Sequence, residues 1–176
     1  ASEDETCAGA AIGAARTQYL LGAYETARAG LDEAIATYPD SPDLMTAYYY
    51  RALVKEAARD FSGAAEDFEA TAQSQPGVLD AYMLEAAGDN WLSAGEHAAA
   101  IRAYQAAVEA GRRTDPVFVQ IKIGRAHLAS GNNTEAVRQF MSIYDSSNSD
   151  FVKAQTDFLA GQVYLNMGLN EQAYAR

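Results

Sequence analysis

The feature that most limits the fold of this chain is a spacing. A glycine followed five residues later by an alanine occurs at Gly22 and Ala27, and returns at Gly95 and Ala100, Gly131 and Ala136, and Gly168 and Ala173. A further copy, Arg59 and Ala64, has arginine in the glycine place. The anchor alanines 27, 64, 100, 136 and 173 thus recur every 36 or 37 residues. A period of this size belongs to chains built by stacking one supersecondary unit, each copy burying its apolar face against the next.

The unit can be read from what surrounds each anchor. Four residues after it stands a large side chain, Leu31, Phe68, Tyr104 and Phe140, and three further on a smaller or apolar one, Ala34, Thr71, Ala107 and Ile143. Offsets of four and seven share one face of a helix. Twelve residues before the anchor the side chain almost vanishes: Ala15, Ala52, Gly88, Gly124 and Gly161. Glycine in a helix costs about 1 kcal/mol relative to alanine, so three glycines at one equivalent position imply a second helix passing close by.

Each unit therefore reads as helix A, a turn at the glycine, and helix B. The A helices are expected over 8–20, 43–57, 79–93, 116–129 and 152–166, and the B helices over 25–37, 61–74, 97–111, 134–146 and from 170. Pro39, Pro42, Pro76 and Gly77 stop helices, Asp115-Pro116 offers a cap and a first-turn proline, and Asn132-Asn133-Thr134 makes a turn. The fold class expected is all-α, a superhelix of about four and a half antiparallel helix pairs.

This succession of small residue, turn glycine, anchor alanine, large apolar residue and terminal proline resembles the tetratricopeptide repeat. The resemblance runs from about residue 8 onward, in repeats over 8–42, 43–78, 79–115, 116–151 and an incomplete 152–176, and implies a right-handed α-solenoid. Trp91 and Tyr164 fill the family's aromatic place, whereas Gln18, Lys55 and His127 do not, and the closing proline is kept only at Pro39 and Pro76. The period slightly exceeds the usual repeat, which implies lengthened turns. Residues 1–7 are expected to form a flexible acidic segment. Because the fifth B helix stops at Arg176 before its large apolar residue, a continuation into further repeats or another domain is expected.

Charge narrows the partners. Thirteen basic against 24 acidic residues give a net charge of -11, which repels a phosphate backbone unless the cations cluster on one face. They are scattered, with Arg112 and Arg113 the only adjacent pair, so neither nucleic acid nor an anionic membrane surface is expected as a partner. The longest charge-free run, 158–170, is too short to span a bilayer. The lone Cys7 excludes an internal disulfide and a cysteine cluster, and is expected as a small buried or loop residue.

No catalytic pattern stands out in the sequence. His97 and His127 lack partners at metal-ligand spacing, and neighbouring acids such as Asp32/Glu33 and Glu66/Asp67 diverge around a helix axis. No phosphate loop, dinucleotide fingerprint or nucleophile elbow is present. No catalytic residue, metal or cofactor is expected. The Asn132-Asn133-Thr134 sequon matches what an interhelical turn asks for, and the structural reading is preferred.

What the resemblance implies about a site concerns the concave face, which A helices line in that family. The positions pointing into it carry Tyr49, Glu56, Tyr82, Glu85, Asp89, Phe118, Ile121, Arg125, Phe158 and Gln162. These describe an aromatic groove flanked by the Glu85/Asp89 carboxylates and Arg125, suited to an extended peptide or a helix. Core packing is the alternative for at least one ring of Tyr48-Tyr49-Tyr50, and contact with the next repeat for Phe118 and Phe158. Ile12 and Arg16 stand where chaperone-binding members carry a carboxylate clamp of lysine and asparagine, which argues against that partner. The leading expectation is a non-catalytic interaction or scaffold module that holds a protein segment or another domain of the same polypeptide.

Two other functions are kept open. The stretch 38–42 and the last repeat resemble the superhelical region of bacterial cell-envelope proteins such as soluble lytic transglycosylases, which would place this chain outside the cytoplasm as the architectural part of a cell-wall enzyme. That family's catalytic signatures are absent from these 176 residues. Self-association through the ends of the array is the third.

Overall fold

The computed structural model describes residues 3–74, 77, 79–111 and 116–176. Among them are ten helices and no strand, in the order α1 (Glu3–Leu20), α2 (Tyr24–Thr37), α3 (Leu44–Ala57), α4 (Phe61–Ser74), α5 (Asp80–Ser93), α6 (His97–Ala110), α7 (Pro116–Ala129), α8 (Asn133–Ser146), α9 (Asp150–Asn166) and α10 (Asn170–Tyr174). Each helix packs on the next along the chain, and α1 also reaches α3. The elements are A and B helices in alternation, with bounds close to those read from the period.

Three local expectations change. The acidic start is helical from Glu3. Cys7 is exposed on α1, neither buried nor in a loop. The expected stop at Pro76 and cap at Asp115 lie outside the described residues.

The A-to-B turn is built the same way five times. Gly22, Gly95, Gly131 and Gly168 sit at φ of 77°, 81°, 79° and 72°, and Arg59 takes the same left-handed conformation at 61°. The amide following each donates to a carbonyl five residues back, as Ala23 does to Gln18 and Asp60 to Lys55, which satisfies the loose end of the A helix. Arg59 is the only described non-glycine residue with positive φ.

Close approach explains the small residue on each A helix. A Cβ on Gly88 would stand 2.4 Å from the ring of Tyr104, and one on Gly124 2.4 Å from Phe140. Both rings are fully buried. Ala15 with Leu31 and Ala52 with Phe68 make the corresponding pairs, each within its own apolar cluster. At Gly161 the nearest atoms, in Ala173 and Arg176, are 3.7 Å away.

Gly124→Ala is expected to lower stability by about 1–3 kcal/mol through overpacking, despite its gain of about 1 kcal/mol in helix propensity, whereas Gly161→Ala is expected to raise it. Thermal unfolding followed by circular dichroism distinguishes the signs. By the same measurement Arg59→Gly should stabilise by about 1 kcal/mol, because glycine accepts the left-handed turn without strain.

Candidate functional site

A continuous run of aromatic rings crosses the first four helices, from α2 through α1 and α3 to α4. Tyr24 meets Tyr19 at 5.7 Å between centroids, Tyr19 meets Tyr50 at 5.6 Å, Tyr50 meets Tyr49 at 5.3 Å and Tyr49 meets Phe68 at 6.2 Å. Tilted and edge-on contacts of this kind add to simple area burial. The Arg16 guanidinium rests 5.4 Å from the centre of the Tyr50 ring. Burial, followed by its phenol neighbours Tyr24 and Tyr49, holds the Tyr19 hydroxyl above the ordinary tyrosine range.

Beside this run lies a hollow of about 440 Å³. Arg16 contributes from α1, Met45, Tyr49 and Tyr50 from α3, and Leu79, Tyr82 and Met83 from the start of α5. Tyr82 and Leu79 are exposed, and Tyr49 is half-buried against Phe68. Tyr49 and Tyr82, both expected from the sequence, therefore share one depression. Arg16 and the methionines join them unforeseen.

The other expected residues separate. Ile121 is only 3% exposed, in the core with Phe140 and Val152, so it does not line an open groove. Its place on the helix faces the following repeat: Ile12, the equivalent residue of α1, is equally covered by α3. Phe118 is exposed but is not part of the aromatic hollow, and Arg125 is exposed as well. Phe158 and Gln162 line a different depression with Gly161 and Leu165.

Glu85 and Asp89 are engaged internally. The Lys122 ammonium lies 2.7 Å from Glu85 Oε1 and 2.6 Å from Asp89 Oδ2, and the Tyr104 hydroxyl donates to Asp89 Oδ1 at 2.7 Å. Arg125 makes no part of this cluster. Burial lowers the Lys122 pKa, but hydrogen bonds to Asp89 and Glu85 outweigh it and leave the ammonium above its ordinary value. For Tyr104, burial and the Asp89 carboxylate both favour the neutral phenol and raise its pKa. The sequence carried a signal for Lys122: its helix position matches that of Tyr50, which reaches back to Arg16 as Lys122 reaches back to Asp89.

A second polar tie joins the first two repeats. Arg51 donates to Asp67 through Nε at 2.8 Å and Nη2 at 2.7 Å, and through Nη1 to Asp32 at 2.7 Å. Lys55 adds a contact to Asp67 at 2.9 Å. Burial opposes the Arg51 charge, yet its bonds to Asp67 and Asp32 win and push its pKa further up. Among the described residues no group of three or more His, Cys, Asp or Glu is placed to hold a metal, and no helix is long and apolar enough to cross a membrane.

Residues 10–41 match the family model of the tetratricopeptide repeat. The structure superposes on solved helical arrays along nearly its whole length. With YrrB, described as a tetratricopeptide repeat protein with an unusual peptide-binding site, the TM-score is 0.64 at 23% identity, over 93% of this chain and 79% of that one. The chain is a tetratricopeptide-like helical solenoid. With the MamA protein the TM-score is 0.71 at 15% identity, over 99% of this solenoid and 88% of that chain. With MamA from Desulfovibrio magneticus RS-1 it is 0.65 at 15% identity, over 99% and 92%. Comparison with curated protein sequences finds no match.

The Tyr104 geometry gives a pH prediction. With its folded pKa raised, the neutral phenol stabilises the solenoid fully below the unfolded tyrosine value of about 10, and that contribution is lost as pH rises beyond it. Tyr104→Phe is expected to cost about 1–3 kcal/mol at neutral pH, by losing the bond to Asp89, and to flatten the loss of stability above pH 10. Denaturant unfolding at stepped alkaline pH measures both.

Proposed function

We propose that this solenoid is a non-catalytic interaction module that holds an extended protein segment against its A helices, on the side that is concave in tetratricopeptide arrays. The observation that carries the reading is the hollow formed jointly by α1, α3 and α5, lined by aromatic and methionine side chains. Amphipathic rings and flexible thioethers suit a surface that buries an apolar side chain from a partner. Arg16, stacked on Tyr50, leaves positive charge at the edge for a nearby carboxylate. The peptide-binding site described for YrrB, which shares the fold, supports the same reading.

Glu85 and Asp89 are not the ligand contacts in this proposal, because Lys122 and Tyr104 already occupy them. The bound segment lies toward repeats 1 to 3, pairing a bulky apolar residue in the hollow with an acidic one against Arg16.

Selection of displayed peptides on the immobilised chain is expected to enrich that pairing. Tyr82→Ala and Arg16→Glu should each weaken the enriched peptides about tenfold, equivalent to ~1.4 kcal/mol. No enrichment, or enrichment unaffected by both substitutions, removes the hollow from the function.

A further inference from the structure

Successive B helices flank a furrow floored by the A helix between them, and equivalent positions form it at each joint of the array. We propose that the furrow between α6 and α8, over α7, binds a neutral aromatic ring carrying an N–H donor, an indole in type. The two preceding furrows show what such a place holds.

Between α2 and α4, Arg51 and Lys55 rise from α3. Arg51 is met by Asp32 on one wall and both cations by Asp67 on the other. Between α4 and α6 the place of Arg51 is taken by Ala87 and that of Lys55 by Trp91. The indole packs among apolar residues of both repeats, and its Nε1 donates to Glu69, the counterpart of Asp32, at 2.8 Å. In both furrows a flat nitrogen-bearing side chain donates to an oxygen on the wall.

The third furrow keeps the form and loses this filling. Ile123 and His127 stand where Arg51 and Lys55 do, and Gln105 and Gln139 where Asp32 and Asp67 do. A hollow of about 390 Å³ opens among these four, bordered also by Val108, Glu109, Gln120 and Arg138. That is the size of small-molecule sites, roughly 300–1,000 Å³. Among the described residues, the side chains of Gln105 and Gln139 have no hydrogen-bond partner, and neither has the buried Nδ1 of His127. The hollow lies within the array, enclosed by the third and fourth repeats.

Its chemistry selects a neutral guest. A cation here lacks the two carboxylates that hold Arg51, and a covered charge without a partner is costly. An anion meets Glu109, while Arg138 is already paired with Glu135. The amide oxygens of Gln105 and Gln139 can accept an N–H, and Val108 and Ile123 offer apolar contact to a ring. This repeats, with a guest, what Trp91 and Glu69 do one repeat earlier. None of these residues lines the aromatic hollow, so the two sites succeed or fail separately.

Titration of the 176-residue chain with indole, followed by two-dimensional NMR, is expected to give saturable shifts at Gln105, Ile123, His127 and Gln139. With its donor blocked, 1-methylindole should bind about tenfold more weakly. His127→Trp with Gln105→Glu rebuilds the second furrow's pairing in the third, and should abolish the shifts at Ile123 and Gln139 while raising the melting temperature. Gln105→Ala with Gln139→Ala removes only unpartnered amides, and should keep the parent's circular dichroism and weaken indole about tenfold. N-acetyltryptophanamide separates the sources of the ring: binding as tight as indole's assigns it to a tryptophan of a partner protein, and exclusion assigns it to a free small molecule. The proposal is overturned by the absence of saturable shifts at these residues, by equal affinity for 1-methylindole, or by unchanged indole binding in the folded rebuilt variant.

Discussion

Everything in this solenoid rests on a large B-helix side chain seated on an A-helix residue with almost no side chain. Tyr104 on Gly88 and Phe140 on Gly124 are the tightest cases, and Leu31 with Ala15 and Phe68 with Ala52 repeat the relation in the first two units. The contact sets how near two helices lie, and that distance decides which flanking residues can meet. Full burial of one such side chain contributes about 1.5–3 kcal/mol, enough to outweigh a glycine inside a helix. With the spacing fixed in this way, the next A helix finds a shaped groove to lie in, and the array propagates.

Polar ties act on top of this framework. Arg51 reaches Asp32 in one repeat and Asp67 in its own, and Lys122 in the fourth repeat reaches Glu85 and Asp89 in the third. Between them, Trp91 donates to Glu69 and Asn90 to Glu56. The aromatic hollow is lined from the first three repeats, where ring contacts add to those of charge.

Architecture was legible because it is periodic: a glycine, an alanine and a large residue at fixed offsets locate each helix and each turn. Even the missing glycine at Arg59 was readable as a turn, since the backbone there must still be left-handed. The site was legible only in part. A helix position says which way a side chain points, but whether it is open depends on what the following helix puts over it. Ile121 is covered by α9, whereas Tyr82 is exposed. Glu85 and Asp89 point as expected, and a lysine from the neighbouring repeat removes them from use. Such pairings lie 33 to 37 residues apart and become visible only when successive repeats are read side by side.

The charges within these ties differ in burial. Asp67, which holds Arg51 inside the second repeat, is sealed from solvent at 4% side-chain exposure, while Asp32 and Asp89, which meet a cation from the neighbouring repeat, stand half open at 50% and 49%. Mobile ions screen exposed charges within about 8 Å at physiological ionic strength and act far less on buried ones. Salt therefore acts on the ties that cross between repeats before it reaches the one inside a repeat, and the solenoid loosens at its joints while its units keep their own charges clamped.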